Sequence, residues 1–433
     1  MMKEIEFART YLQTLLQIER APQAQLDAYQ QELLASLYEH ARRNAPFYRY
    51  YPEIAGLPQP TSQEWRDLPL VSRRDLVALF QSIATSSMPE AHGVLAPVQT
   101  GGSTGTPARV ALSTLESVAR IACTYRMFMA WGMDFSRPLF MIRKPQIGSD
   151  RSDGIGFRRW GFPWLPESSL GPRLHMDIET PPADQLLALA NEAPAYVNTL
   201  PSNILRLGLM AGAKREPAPQ LPIIISVAEH LSSEVRGLAE KTFGSRVINV
   251  LSSAEGGVIA VECPTSGLLH IQNEAVLVEI INETGDACQV GEVGELVVTP
   301  LYNYATPLIR YRSGDFVERG PACPCGRALP TIARIVGRHE HMFSFPDGRR
   351  ALPQIDRVRI SEILEHELWT FVQSGPTAAE LLVARDGYEG HASELMALLT
   401  SATDAMFSIK LRRVESLPLT SGGKRHFCHN RTV

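Results

Sequence analysis

Cysteine is scarce here, six in 433 residues. That is too few for a disulfide scaffold, so the thiols are expected to stay free or to hold metal in a reducing cytoplasm. No run approaches the roughly 18 consecutive apolar residues a membrane span requires. Residues 1–20 mix acidic with apolar side chains and do not set a basic stretch ahead of an apolar block, so neither a membrane location nor an export signal is expected. A basic surplus is also missing. Lys and Arg number 42 against 46 Asp and Glu, a net charge of -4, which leaves nothing to neutralise a phosphate backbone and excludes nucleic acid as an expected partner. Internal repeats and low-complexity tracts are absent. What is present is 44% hydrophobic and 20% charged residues, enough chain at about 150 residues per domain for two or three domains around a sizeable core.

The first ninety residues read as a helical lead-in. Leu12, Leu15, Leu16 and Ile18, then Leu33, Leu34 and Leu37, keep a helical spacing that Asn44-Ala45-Pro46 ends. From 93 to 300, short β-rich runs at 94–98 and 221–227 alternate with longer amphipathic stretches such as 232–242, the pattern of a layered α/β architecture. Residues 275–281 and 295–299, separated by a turn at 282–285, read as antiparallel strands of a small barrel-like section. Beyond Gly337-Arg338 come a turn at 346–348, an amphipathic run at 355–369, a strand at 380–384, a helix at 392–407 and a strand at 409–414. The expected fold is therefore α/β: a large multi-subdomain N-terminal domain over 1–337 and a small α+β domain over 338–433.

Four segments carry residue types suited to nucleotide chemistry. Thr100-Gly101-Gly102-Ser103-Thr104-Gly105-Thr106 combines glycines, which let backbone amides approach an anion, with hydroxyl donors. It lacks the Gly-Lys-Ser/Thr ending of a Walker loop and sits between two apparent strands, so on its own it reads first as a flexible hairpin turn rich in small residues. Leu251-Ser252-Ser253-Ala254-Glu255-Gly256 sets an acid on a turn after a strand, where a carboxylate can hold Mg²⁺ against a nucleotide phosphate. Asp315, in Tyr311-Arg312-Ser313-Gly314-Asp315, can accept hydrogen bonds from a ribose diol. Lys424, on a Gly-Gly loop, can reach into a cleft and neutralise developing charge. Separately, Cys323-Pro324-Cys325 with the distant Cys263 and His270 supplies the four N/S donors of a closed, structural zinc site. Cys123, Cys288 and Cys428 lack such company and read as ordinary, and His426 and His429 flank Lys424 without an assigned role.

Taken in order, these segments resemble those of the adenylate-forming superfamily, most closely its phenylacetate-CoA ligase-like branch. The glycine loop resembles the family's phosphate loop, residues 311–315 its Tyr-Arg-Thr-Gly-Asp element, Gly337-Arg338 its hinge-flanking pair, and 417–424 its catalytic-lysine loop. Asn44-Ala45-Pro46-Phe47-Tyr48 and Leu68-Pro69-Leu70-Val71-Ser72-Arg73 also look like that branch's opening segments.

The resemblance implies ATP held by residues 100–106, Ala228, Glu229, Ser252, Ser253, Ala254, Asp315 and Arg338. It implies Mg²⁺ near Glu255, catalysis by Lys424 and Glu255, and a small mobile C-terminal domain rotating about Glu340. An acid pocket is expected at Tyr125, Met129, Asn198, His230 and Gly256, suited to an aromatic acid. The implied reaction turns a small-molecule carboxylic acid into an acyl-adenylate and then, with CoA as co-substrate, into an acyl-CoA, in a cytoplasmic monomer or homodimer. Cys263, His270, Cys323 and Cys325 match the branch's Cys/His set. Departures from the family's pattern are Thr106 where many relatives carry Lys, and Leu251 and Ala254 where they carry Tyr and Thr. Two other readings stay open: transfer to an acyl carrier protein or an amine and, given these departures, a degenerate ATP-binding homologue without catalysis.

Overall fold

The computed structural model describes residues 2–52, 59–60, 62–99, 108–144, 158–213, 218–365, 368–384, 386–417 and 426–432. Residues 100–106 and Lys424 lie outside them. By internal contacts the chain divides into two compact units. One gathers Met1–Phe135, Gly161–Leu170 and Asn249–Val336; the other gathers Ser136–Trp160, Gly171–Ile248 and Gly337–Val433.

In the first unit the helical lead-in forms two helices, Met2–Ile18 and Gln23–Asn44. The second stops where Ala45, ahead of Pro46, turns extended, as a residue preceding proline tends to. Leu15, Leu26, Leu34 and Leu37 lose all contact with solvent, each burial stabilising by about 1.5–3 kcal/mol. Leu15 and Leu34 share one core with Trp65, Val276, Leu296, Val298 and Tyr311. The sheet of this unit is antiparallel: Gly257–Glu262 pairs with Leu269–Ile271, which pairs with Thr331–Arg338, and Val293–Pro300 lies between Tyr311–Arg319 and Val276–Ile281. The strands expected at 275–281 and 295–299 are therefore present with their turn. The barrel-like section is instead an open sheet, because Val276–Ile281 has a strand partner on one side only among the described residues and forms its edge.

The second unit holds a parallel sheet in the order Ile223–Val227, Tyr196–Thr199, Leu139–Ile142, Pro172–Met176, with the short antiparallel Arg158–Arg159 outermost. Helices Pro182–Glu192, Pro201–Ala213 and Ser233–Phe243 connect its strands. Its C-terminal part is a four-stranded sheet, Ser408–Arg413, Ala378–Val383, Trp369–Gly375 and Cys428–Asn430, packed with helix Ala392–Ala402 around Phe343, Phe371, Leu381 and Leu399.

Three elements here differ from expectation. The run at 355–369 is helical only over Arg357–Ile363, since Glu365 adopts a left-handed φ of 48° and Trp369 already opens a strand. The helix at 392–407 ends at Ala402, before Asp404 and Ala405, both at positive φ. Cys428–Asn430, three residues long, joins Trp369–Gly375 in parallel and is too short to show a period.

Candidate active site

Glu255 sits on residues 254–256, between strands Arg246–Ser253 and Gly257–Glu262, which pair antiparallel with Ser253 opposite Gly257. The turn is thus the tip of a tight hairpin that follows strand Arg246–Ser253, the strand-then-turn placement expected. Its conformation is held from beneath by helix Thr114–Ala130. Arg120 of that helix donates from Nη1 to the Ala254 carbonyl at 2.8 Å and from Nη2 to the Glu255 carbonyl at 3.2 Å. Gly257 is at φ 71°, and a Cβ there would stand 3.1 Å from Arg120 Nε, so glycine serves both the turn and the close approach. One helical turn back, Glu116 receives Arg120 Nε at 3.0 Å and Nη2 at 2.5 Å. Burial pushes the Glu116 carboxyl up to about 7 against the pull of Arg120.

The Glu255 carboxylate is buried, and its Oε1 accepts from Arg73 Nη1 and from the Tyr311 hydroxyl, both at 3.4 Å. Arg73 opens helix Arg73–Ile83, whose start Ser72 and Asp75 fix by reciprocal side-chain and backbone hydrogen bonds. Tyr311 opens strand Tyr311–Arg319, which also carries Asp315. Between them the register slips: residues 313–315 oppose Leu296 alone, with Gly314 at φ 78°. Asp315 therefore stands on a β-bulge, a device that re-aims a side chain. Hairpin acid and tyrosine thus meet at 3.4 Å, and the bulged aspartate lies four residues further along the tyrosine's strand. Ser253 Oγ accepts from the Gly256 amide at 2.8 Å and helps close the turn.

Cys263, His270, Cys323 and Cys325 converge, with ligand atoms all within 4.8 Å of one another. Cys263 Sγ and Cys323 Sγ are 3.7 Å apart, close to the edge of about 3.8 Å that Zn–S bonds of about 2.3 Å give in a tetrahedron. His270 Nε2 is 3.2 Å from Cys325 Sγ. The hairpin from Cys263 is closed by Cys263 N to Leu268 O and Gly267 N to Cys263 O. Burial raises the Cys263 thiol, but amides of Thr265 and Ser266 and the Ser266 hydroxyl outweigh it and bring it down to about 7. Three soft donors and one imidazole, three of the four buried, fit a structural zinc ion. By contrast, burial pushes Cys123 up to about 12, in keeping with an inert packed thiol.

A buried polar chain runs from this cluster to helix Thr114–Ala130. Gln272 Nε2 donates to His270 O, and Gln272 Oε1 receives Arg126 Nη2 at 2.6 Å. Arg126 also grips Glu274 through both terminal nitrogens at 2.5 and 3.0 Å. Arg327, whose Nη1 lies 3.6 Å from Cys325 Sγ, donates from Nε to Glu19 at 3.0 Å.

The residues expected in the acid pocket divide between the units. In the first, Tyr125 donates its hydroxyl to Gly161 O and packs on Phe162, which stacks on Trp164 with centroids 4.9 Å apart; Met129 is exposed. In the second, Asn198 Oδ1 receives Arg143 Nε at 2.8 Å. Ala228 takes a left-handed φ of 68° just past strand Ile223–Val227. Glu229 accepts from the Ser202 amide at 2.8 Å and hydroxyl at 3.0 Å, capping helix Pro201–Ala213. His230 O receives Arg357 Nη1 at 3.3 Å, and that guanidinium covers the ring of Phe427 at 5.1 Å. Arg338 reaches Glu340 at 3.4 Å, and His341 lies 2.7 Å from His426, so burial and then the neighbouring imidazole hold the His341 pKa well below its usual value.

Arg73, Glu116, Arg120, Arg126 and Arg143 were not foreseen as site residues. The Glu116–Arg120 spacing of four was a usable signal; the partners of the others lie far off in sequence.

No family model matches the chain. It is 25% identical to the phenylacetate-coenzyme A ligase of Thermus thermophilus over 373 residues, 81% of this chain and 79% of the relative. It is 25% identical to that of Aromatoleum evansii over 343 residues, 75% and 73% of the two chains. A 2-hydroxyisobutyryl-CoA ligase, solved in its postadenylation state with 2-HIB-AMP, superposes with a TM-score of 0.71 at 19% identity, covering 96% of this chain and 91% of that one. By sequence this chain is similar to the phenylacetate-coenzyme A ligases, and its fold is that of the 2-hydroxyisobutyryl-CoA ligase.

Proposed function

We propose that this protein is an AMP-forming acid–thiol ligase, converting an aromatic carboxylic acid to its acyl-CoA. The observation that carries the reading is Glu255, clamped on its hairpin tip by Arg120 and facing Tyr311 on the strand that bears Asp315, in a chain aligned along most of its length with phenylacetate-coenzyme A ligases.

In the first half-reaction the acid's carboxylate oxygen attacks the α-phosphorus of ATP. The bond to the β-bridging oxygen breaks and pyrophosphate leaves, giving the acyl-adenylate. Residues 100–106 would cradle the phosphates, with Ser252, Ser253, Ala254, Ala228 and Glu229 along the nucleotide and Asp315 and Arg338 on the ribose. Lys424 stabilises charge on the carboxylate and α-phosphate oxygens. Glu255 would hold Mg²⁺, which supplies charge neutralisation at the phosphates when bound. Tyr125, Met129, Asn198, His230 and Gly256 receive the acid.

In the second half-reaction the CoA thiol, losing its proton, attacks the acyl carbon, and AMP leaves with the bonding pair. Rotation of residues 338–433 about Glu340 replaces Lys424 with the thiol's approach. Zinc on Cys263, His270, Cys323 and Cys325 would be structural. The cytoplasm is the proposed compartment.

The test is pyrophosphate release over a panel of carboxylic acids, with and without CoA, and detection of the thioester. Acid-dependent pyrophosphate release with acyl-CoA formation is expected, and Lys424→Ala should abolish the first while leaving ATP binding nearly intact. Absence of release with every acid, or release with no thioester formed from CoA, would overturn the reading.

A further inference from the structure

The parallel strands of the second unit end along one edge, and their order reverses there. From Leu139–Ile142 the chain moves to the neighbour on one side, Pro172–Met176. It then returns through helix Pro182–Glu192 to Tyr196–Thr199 on the other side, and continues outward to Ile223–Val227. Open parallel sheets form ligand crevices beyond the carboxyl ends of strands at such a reversal. Here it lies between Leu139–Ile142 and Tyr196–Thr199.

Two side chains meet across that point. Arg143 is the first residue past its strand, and Asn198 is near the end of the adjacent one; Arg143 Nε donates to Asn198 Oδ1 at 2.8 Å. The Arg143 backbone is tied into the edge, its amide to Met176 O and its carbonyl to the Ile178 amide. Lys144, the next residue, has an acid at 2.9 Å in Glu179. No carboxylate pairs with Arg143 among the described residues. Burial without a counter-charge pulls its pKa down to about 10. A guanidinium offers five N–H donors in a fixed fork, and Asn198 takes one of them. A half-buried cation with no counter-ion among the described residues is costly to maintain, and an apolar side chain would fill the place without that cost.

We propose that Arg143, aimed by Asn198, binds an oxyanion of the ligand, a carboxylate or a phosphate, in a crevice at this switch point. The site stands on its own geometry. Only the identity of the donor rests on the ligase reading, under which the carboxylate is that of the organic acid and the phosphates are those of CoA or ATP.

Phenylglyoxal labelling of Arg143 in the full-length protein, followed by peptide mass spectrometry, tests this with phenylacetate, ATP, CoA and 3′-dephospho-CoA each added in turn. One or more of these is expected to slow labelling several-fold. Protection by phenylacetate assigns the carboxylate. Protection by CoA alone assigns its 3′-phosphate, by both coenzyme forms its diphosphate, and by ATP the nucleotide. The protecting compound should then bind Arg143→Gln roughly ten- to a hundred-fold more weakly by calorimetry, with Arg143→Lys intermediate and the melting temperature unchanged. Unaltered labelling with all four, or equal affinity in Arg143→Gln, overturns the proposal. A protected Arg143 in a protein that releases no pyrophosphate would sink the ligase reading and leave the site standing; the converse pair of results would do the opposite.

Discussion

Replacing Glu116 with Gln should make the protein's stability less dependent on pH. The carboxyl is 2% exposed, and burial lifts it from 4.5 in the unfolded chain to about 7 in the folded one despite Arg120 at 2.5 Å. A raised carboxylate pKa means the folded state holds its proton more tightly, so its contribution is complete below 4.5 and is lost as pH rises through 7. At 1.36 kcal/mol per pKa unit, about 2.5 kcal/mol of stability should disappear between pH 5 and 8. Glutamine keeps an acceptor for Arg120 and cannot ionise, so that decline should be missing. Urea unfolding of both proteins at pH 5, 6, 7 and 8, with the difference between them plotted against pH, isolates the one group from every other titration. Wild type should lose ground to Glu116→Gln steadily up to pH 7 and level off near pH 8. A difference that stays constant across the range would show that Glu116 is ionised throughout, and the account of its burial would be wrong.

Arg120→Met removes two charge-assisted bonds to the hairpin carbonyls, each worth about 1.5–3 kcal/mol, and should lower acid-dependent pyrophosphate release at least ten-fold. Unchanged kcat/KM would mean that the Glu255 turn holds itself. Cys323→Ser should cut bound zinc, measured by elemental analysis of the purified protein, from about one equivalent per chain to a small fraction; wild-type protein purified without zinc would refute the assignment. Glu274→Ala takes from buried Arg126 its bidentate carboxylate and leaves only Glu19 at 3.9 Å, which should cost about 3–5 kcal/mol by chemical denaturation, whereas the Arg126→Met/Glu274→Leu pair should recover most of it. If the single change costs under about 1 kcal/mol, the pair is not carrying the charge balance assigned to it.

The elements that could be read in advance are those whose cause is local. Leu12 to Ile18 and Leu33 to Leu37 each keep a helical spacing, Ala45-Pro46 stops the second run, and 221–227 is apolar enough to be a buried strand wherever it lies. Glu255, Asp315 and the Cys/His donors were legible because glycine, serine or proline beside a functional group marks a turn or a knuckle within a few residues. The run at 355–369 failed on the same ground, since one face of a short helix and the start of a strand look alike when a left-handed residue between them is not glycine.

By itself, then, the sequence determined which residues can do chemistry, and the turns and periods that present them. The tertiary structure alone decided their companions: Arg73 to Glu255 across 182 positions, Arg126 to Glu274 across 148, Arg143 to Asn198 across 55. Such pairs are set by strand order and register, which follow from burying a whole sheet face at once, and a side chain carries no local mark of the partner that this burial brings to it.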